Sequence, residues 1–255
     1  MLEEKGIRAH LKPALFPQIT VLPTIDSTNS YLLEQPLQHG HVCLAEEQTG
    51  GRGRQRREWV SPKSRNIYLS FLWQVPQTDI SGLSLVVGMG VVQALQSLGV
   101  NNLKVKWPND ILYEGKKLGG ILIEVSERKS NSVWVVIGIG INVEMPTSTQ
   151  IDQPWIDITQ IAEKTAYLSR NIIVATLLNN LHEQLNNFAA QGLIAVQQFW
   201  MKNDAIFNKA IKVQHNGNTL IGIAQGINSQ GELLMLCQNE LISIHSGEIL
   251  NIKTV

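Results

Sequence analysis

One short segment of the chain, residues 50–57, concentrates glycine and arginine. It reads GGRGRQRR, with three glycines and four arginines in eight residues. Glycine loses backbone entropy in helices and strands, and neighbouring guanidinium groups repel, so the segment predicts a mobile cationic loop. Its glycines allow close backbone approach, and its arginines can pair with a carboxylate or a phosphate. We therefore expect this loop to bind an anion; a flexible basic surface loop without a ligand is the alternative.

Two later segments, KWPND at residues 106–110 and KKLGG at residues 116–120, place polar groups beside predicted strand ends. Proline fixes φ and lacks an N–H group, so Asn109 and Asp110 are expected in a turn, from which they can point into a cleft. A plain turn whose side chains bond their own backbone is the alternative. Lys117 precedes two glycines and can reach an anion lying over them, and no Walker A sequence is present.

The remaining polar segments are DSTN at residues 26–29 and GIGIN at residues 138–142. In the first, one hydroxyl can cap a helix while its neighbours bind a ligand. The second ends a strand, predicted over residues 133–143, whose odd positions are apolar and whose other face carries Gly138, Gly140 and Asn142. Those glycines leave room for a ligand lying flat on the strand or for a packed helix, and the sequence leaves both open.

The hydrophobic pattern surrounds these segments with both helices and strands. Alternation predicts a strand over residues 66–75, and helical spacing predicts helices over residues 81–98 and 171–191. Gly88 and Gly90 suggest that the first of these helices packs closely against a sheet. Beyond residue 206 the pattern changes to four or five short strands with turn signals. We expect an α+β domain over residues 1–206 and a small β domain of SH3-like size over residues 207–255.

The bulk composition limits the function further. Lys and Arg together number 21, as do Asp and Glu, so the net charge is zero, which argues against binding to the general field of nucleic acid or membranes. The first residues do not resemble a signal peptide, and no apolar run is long enough to span a bilayer. The two cysteines, Cys43 and Cys237, are expected to be free, buried thiols. These features predict a cytoplasmic globular protein.

Taken together and in this order, IDSTN, GRGR with a tryptophan soon after, KWPND, KLGGILIE and GIGIN resemble the biotin protein ligases (biotin–[acetyl-CoA-carboxylase] ligases). The resemblance is strong over residues 21–143 and extends to the β-rich tail. It implies an α+β fold with a central mixed β-sheet flanked by helices, similar to class II aminoacyl-tRNA synthetases, plus a C-terminal SH3-like β-barrel. It also implies an ATP-dependent ligase that forms biotinyl-5′-AMP and transfers biotin to a lysine of a biotin carboxyl carrier protein of acetyl-CoA carboxylase.

The resemblance also assigns site residues. Step one joins a carboxylate to an α-phosphate, so cations must screen both, with Mg²⁺ on the phosphates. The residues assigned to biotin are Ser27, Thr28, Asn29, Gln48, Arg52, Gly53, Arg54 and Lys117. Those assigned to ATP are Gly51, Arg54, Arg57, Trp59, Asn109 and Asn142, and those assigned to catalysis are Lys117, Arg54 and Asp110. Asp110 could position Lys117, help to hold the metal, or assist deprotonation of the incoming lysine; no metal ligand is assigned.

Two departures from the family pattern are visible. Only about twenty-five residues precede DSTN, too few for the winged helix-turn-helix domain of family members that act as repressors, so no DNA binding or repression is expected. Arg56 replaces a glycine that is frequent later in the arginine loop, which bears on loop closure. Monomers and homodimers both fit the family. The rival interpretations are a lipoate or octanoate ligase, a nucleic-acid-binding module and a catalytically inactive scaffold.

Overall fold

The fold combines two β-sheets with six α-helices among the residues that this computed structural model describes, namely 1–13, 15–63, 65–76, 80–146, 148–162 and 168–253. The helices are α1 (Glu4–Arg8), α2 (Thr28–Leu33), α3 (Leu83–Ser97), α4 (Ile158–Ile161), α5 (Arg170–Gln191) and α6 (Ile194–Asn203). The strands of the first sheet are β1 (Gln18–Leu22), β2 (His41–Ala45), β3 (Ile67–Val75), β4 (Lys104–Lys106), β5 (Asp110–Tyr113), β6 (Lys116–Arg128) and β7 (Val133–Ile141).

This first sheet is mixed, with strand order β1-β2-β3-β7-β6-β5-β4. Strands β1 and β2 pair in parallel, and every other neighbouring pair is antiparallel. The odd positions of β3 and β7 are buried and belong to the main hydrophobic core, which also includes the apolar residues of α3 and α5. These two helices pack on one face of the sheet, so the other face is left for the polar segments.

Close packing explains the two glycines of α3. A Cβ atom on Gly88 would meet Ile121 of the sheet at 3.5 Å, as the sequence suggested. On Gly90 it would meet Leu181 of α5 at 3.1 Å, so this second glycine faces a helix and the expectation of a sheet contact was wrong there. The helix therefore touches the sheet on one side and α5 on the other.

The second sheet is antiparallel, with strand order β11-β10-β9-β8-β12. Its strands are β8 (Ala210–His215), β9 (Asn218–Ile227), β10 (Leu233–Cys237), β11 (Glu240–Ile244) and β12 (Glu248–Lys253). The indole of Trp107 donates a hydrogen bond to the carbonyl of Gly231 at 3.1 Å, and Ala205 donates to the carbonyl of Val105 at 2.8 Å. These contacts dock the second sheet beside the β4–β5 hairpin.

The main differences from the sequence predictions concern residues 104–128. KWPND is a tight connection between β4 and β5, and Asp110 is the first residue of β5 instead of a turn residue. Residues 116–120, expected beside a strand end, are the first residues of the long strand β6, which pairs with β5 at its start and with β7 at its end. Cys43 is buried as expected, but Cys237 is only half-buried. Within the described residues, the helices fall short of the length and hydropathy needed to cross a bilayer.

Candidate active site

A cavity of about 420 Å³ opens on the sheet face opposite α3 and α5. Strands β3, β5, β6 and β7 form its floor, while the start of α2, the arginine loop and β12 contribute to its walls. All predicted site residues except Gly51 and Asn142 line it: Ser27, Thr28, Asn29, Gln48, Arg52, Gly53, Arg54, Arg57, Trp59, Asn109, Asp110 and Lys117.

The DSTN segment supplies a neutral polar wall. Ser27 is the N-cap of α2, and its hydroxyl oxygen accepts from the backbone N–H of Ser30 at 3.4 Å. Gln48 Oε1 accepts from the backbone N–H of Thr28 at 2.9 Å, and the Thr28 hydroxyl lies 3.1 Å from this oxygen and 2.6 Å from the Ser70 hydroxyl. The helix cap thus fixes the start of α2, and Gln48 fixes the backbone of Thr28 at the cavity edge.

Asn29 lies over the glycine face of β7. A Cβ atom on Gly138 would lie 2.2 Å from Asn29 Oδ1, so only glycine allows this approach. The Asn29 amide oxygen accepts from the Ser70 hydroxyl at 2.6 Å, and its nitrogen donates to Glu124 Oε2 at 2.7 Å. Asn29 belongs to α2, so the packed helix, one of the two explanations that the sequence left open, accounts for Gly138.

Trp59 covers the second half of the same face. A Cβ atom on Gly140 would lie 2.5 Å from its indole ring, and one on Gly120 would lie 3.1 Å from it. Lys117 Nζ lies 5.3 Å from the ring centroid, a cation–π contact. The buried indole N–H of Trp59 has no hydrogen-bond partner among the described residues, so it is available to an acceptor on a ligand.

A cluster of opposite charges lies at the β5–β6 end of the cavity. Lys117 Nζ contacts Asp110 Oδ1 at 2.8 Å, and Lys106 Nζ lies 3.8 Å from the other carboxylate oxygen. Burial lowers the pKa of Lys106 from its ordinary value, and the charge of Asp110 opposes that shift. One carboxylate between two ammonium groups leaves a net positive charge, which favours an anionic ligand.

The arginine loop closes the cavity and touches the second sheet. Arg54 Nη1 donates to the carbonyl of Gly247 at 3.1 Å, and Arg57 forms an ion pair with Glu248 on β12. Burial lowers the pKa of Arg54, while the nearby Asp110 and Glu248 oppose the shift. Arg56 has a φ of 60° and Gln55 a φ of 55°, so the backbone is left-handed at the position where Arg56 replaces the family's glycine.

Gly51 and Asn142 have structural contacts outside the cavity lining. A Cβ atom on Gly51 would lie 2.5 Å from the Trp59 carbonyl, so glycine is needed where the loop backbone doubles back. The Asn142 amide donates to the carbonyls of Lys117 and Ile156, at 3.3 and 3.1 Å. It thus supports the backbone of Lys117. Their assignment to the nucleotide stays a prediction, as do the other assigned roles.

Two family models match the chain. The biotin/lipoate A/B protein ligase family matches residues 21–142, and the biotin protein ligase C-terminal domain matches residues 206–250. The bifunctional ligase/repressor BirA of Escherichia coli strain K12 is 39% identical over 223 residues, which cover 85% of this chain and 68% of that protein. This chain belongs to the biotin protein ligase family.

Further relatives agree. The biotin–[acetyl-CoA-carboxylase] ligase of Mycobacterium tuberculosis is 28% identical over 265 residues, covering 99% of this chain and 96% of that protein. The solved structure of the biotin protein ligase from Aquifex aeolicus in complex with biotin and ATP has a TM-score of 0.78 and 27% identity, covering 94% of this chain and 100% of that one. These comparisons confirm the predicted fold class. They also confirm the predicted enzyme class, since the family consists of ligases.

Sequence reasoning missed Ser70, Lys106 and Glu248, which line the cavity of this biotin ligase, and Glu124, which bonds to the lining residues Asn29 and Arg52. Ser70 lies on the polar face of β3, which alternation could have shown, and Lys106 and Glu124 lie within segments already quoted as motifs. Glu248 is far away in sequence and reaches the loop only because the second sheet docks against the cavity. The sequence contains no pattern that would predict the contact between Glu248 and the loop.

Proposed function

We propose that the protein activates biotin with ATP to form biotinyl-5′-AMP and then transfers biotin to a lysine of the biotin carboxyl carrier protein of acetyl-CoA carboxylase. The observation that carries the proposal is one continuous cavity with a neutral polar end and a cationic end. Thr28 and Gln48 suit the uncharged ureido ring of biotin, and Lys106, Lys117 and Arg54 suit its carboxylate and the phosphates. The names of the relatives, and the complex of one of them with biotin and ATP, support the same reaction.

In the first step a biotin carboxylate oxygen attacks the α-phosphorus of ATP, and pyrophosphate leaves. Both partners are anions, so their approach requires fixed cations that are present before the reaction. Lys117 is held at the cavity floor by Asp110, and Arg54 is held over the cavity by the Gly247 carbonyl. These supports keep both charges in place without reorganisation during the reaction.

The second step breaks the mixed anhydride. The carrier lysine amine attacks the biotinyl carbonyl, an amide forms, and AMP leaves. Of the three roles considered for Asp110, its 2.8 Å contact favours positioning of Lys117. The arginine loop, anchored on the second sheet, would exclude water from the anhydride until the carrier arrives.

Mg²⁺ enters this proposal as part of the ATP substrate. The described residues contain no group of three or more His, Cys, Asp or Glu side chains placed to hold a metal ion. Asp110, the acid closest to the cationic end, is already paired with lysines. Mg²⁺ usually keeps several waters and binds through substrate phosphates, so the protein can use it without a dedicated cage.

The decisive experiment is ATP–pyrophosphate exchange with purified protein and Mg²⁺, comparing biotin, lipoate and no added acid. We expect exchange that depends on biotin. Exchange that depends on lipoate would keep the fold and the chemistry but overturn the substrate, and no exchange with either acid would overturn the adenylation proposal. Adding a biotin carboxyl carrier domain to the biotin reaction then tests transfer, which is measured as the mass gain of the carrier.

Four finer points belong to the same proposal. The division between residues 206 and 207 is supported by the C-terminal family match, which begins at residue 206. We place the reaction in the cytoplasm, where Cys43 stays reduced. Burial raises the pKa of the Cys43 thiol to about 12, so this thiol is a poor nucleophile. Absence of DNA binding is tested by a mobility shift at low salt. The choice between monomer and homodimer is tested by sedimentation with and without biotin and ATP.

A further inference from the structure

Glu124 occupies a particular place in the sheet. It lies on β6 opposite Val136, two residues beyond Leu122, which pairs with Gly138. Side chains alternate along a strand, so Glu124 shares the cavity-side face with Gly120, while Ile121 points toward α3. A half-buried acid at this position faces the side chains that lie over the glycines of β7.

Each oxygen of this carboxylate accepts from a different part of the cavity wall. Oε2 accepts from the Asn29 amide at 2.7 Å, and Oε1 accepts from Arg52 of the arginine loop at 3.5 Å. Glu124 is therefore a side-chain link between the polar wall built by α2 and the cationic loop.

A carboxylate can only accept hydrogen bonds, and this fixes the direction of the bonds that follow. The Asn29 nitrogen donates to Glu124 and, at 3.4 Å, to the Leu122 carbonyl, so its oxygen faces the other way, where it accepts from the Ser70 hydroxyl. Ser70 has one hydroxyl hydrogen, so its oxygen then accepts from the Thr28 hydroxyl, 2.6 Å away. Gln48 Oε1 keeps the backbone N–H of Thr28 as its donor.

We infer that Glu124 is a positioning residue for biotin: it sets the hydrogen-bond direction of the Asn29–Ser70–Thr28 chain and joins that chain to Arg52. This inference rests on the proposed function. An isosteric Glu124→Gln amide has one acceptor oxygen for two donors, so either Asn29 or Arg52 faces an N–H group. The hydrogen bonds of the polar wall then no longer have a single direction. Biotin binding weakens as a result, while the ATP end of the cavity is unaffected.

The first test measures pyrophosphate exchange for Glu124→Gln beside Glu127→Gln, an exposed acid on the same strand. We expect the KM for biotin to rise about tenfold in Glu124→Gln, as for the loss of one charge-assisted hydrogen bond, with the KM for ATP and the Tm unchanged. Glu127→Gln should behave as wild type. Equal KM values for biotin in the two variants, or an equal rise in both KM values of Glu124→Gln, would overturn the inference.

A double-mutant cycle with Ser70→Ala tests the chain itself, since Ser70 and Glu124 both bond to Asn29. If they act through Asn29, the KM for biotin of the double variant matches the larger single effect. A double effect equal to the product of the two single effects would show independent action and overturn the inference. Wild-type protein without biotin-dependent exchange would instead refute the proposed function, so the two failures are distinguishable.

Discussion

At the scale of single residues, two adjacent lysines differ only in where β6 directs them. Lys117 points into the cavity and pairs with Asp110 at 2.8 Å, whereas Lys116 is exposed. If the proposed reaction is right, Lys117→Gln removes a fixed charge from the developing anion, and kcat/KM for biotin-dependent exchange falls about 10²–10³-fold. Lys116→Gln should stay within about twofold of wild type, since an exposed charge is screened. Similar losses in both variants would show that the total positive charge of the strand matters, and not the direction in which each lysine side chain points.

The left-handed backbone at Arg56 has a measurable cost. A residue with a Cβ atom is disfavoured there by about 1–2 kcal/mol, and glycine is not. We expect Arg56→Gly to be more stable toward urea than Arg56→Ala by about 1 kcal/mol, because both remove the side chain and only glycine relieves the strain. Equal unfolding midpoints for the two variants would mean that the loop does not keep this conformation.

At the scale of elements, α3 provides a paired test of packing. Gly88→Ala adds a methyl group at ordinary contact distance from Ile121, so the gain in helix propensity should raise the free energy of unfolding by about 0.5–1 kcal/mol. Gly90→Ala brings its methyl group to 3.1 Å from the buried Leu181, and we expect a loss of about 1 kcal/mol or more. Chemical denaturation of both variants checks the order. Stabilisation by Gly90→Ala equal to that by Gly88→Ala would contradict this description of the α3–α5 contact.

At the scale of the whole molecule, histidines far apart in sequence meet around Trp73. The His39 and His182 rings lie with centroids 4.0 and 5.7 Å from that of Trp73. Burial lowers the pKa of His39, with a contribution from His182, and burial likewise lowers the pKa of His182. At pH values between the lowered pKa of these histidines in the folded protein and their ordinary value of 6.5, the unfolded chain binds more protons than the folded protein. The free energy of unfolding therefore falls as the pH decreases below about 6.5.

We therefore expect the Tm of the wild type to fall between pH 7.5 and pH 5.5, and the fall to be smaller in His39→Gln/His182→Gln. The exposed His10→Gln is the matched control and should follow the wild type. Scanning calorimetry of the three proteins checks this. An identical fall in the double variant and in the wild type would mean that other groups control the acid sensitivity.

The sequence by itself determined most of the elements and the family. Local periodicity predicted β3, β7, α3 and α5, because strands and helices repeat their apolar positions every 2 and 3.6 residues whatever surrounds them. Five ordered motifs indicated biotin protein ligases, and most of the residues they assigned line one cavity. Strand β5 was not predicted, since four residues are too few to show a strand's alternation of apolar and polar positions.

Only the tertiary structure decided how the cavity is completed. The contacts of Glu248 with Arg57 and of Glu124 with Asn29 join residues separated by up to 191 positions, and sequence spacing carries no information about such distances. It also decided what lies over the glycines of β7, since a missing side chain shows that something approaches but not what. The packing of α2, the loop and the second sheet placed Asn29 and Trp59 there.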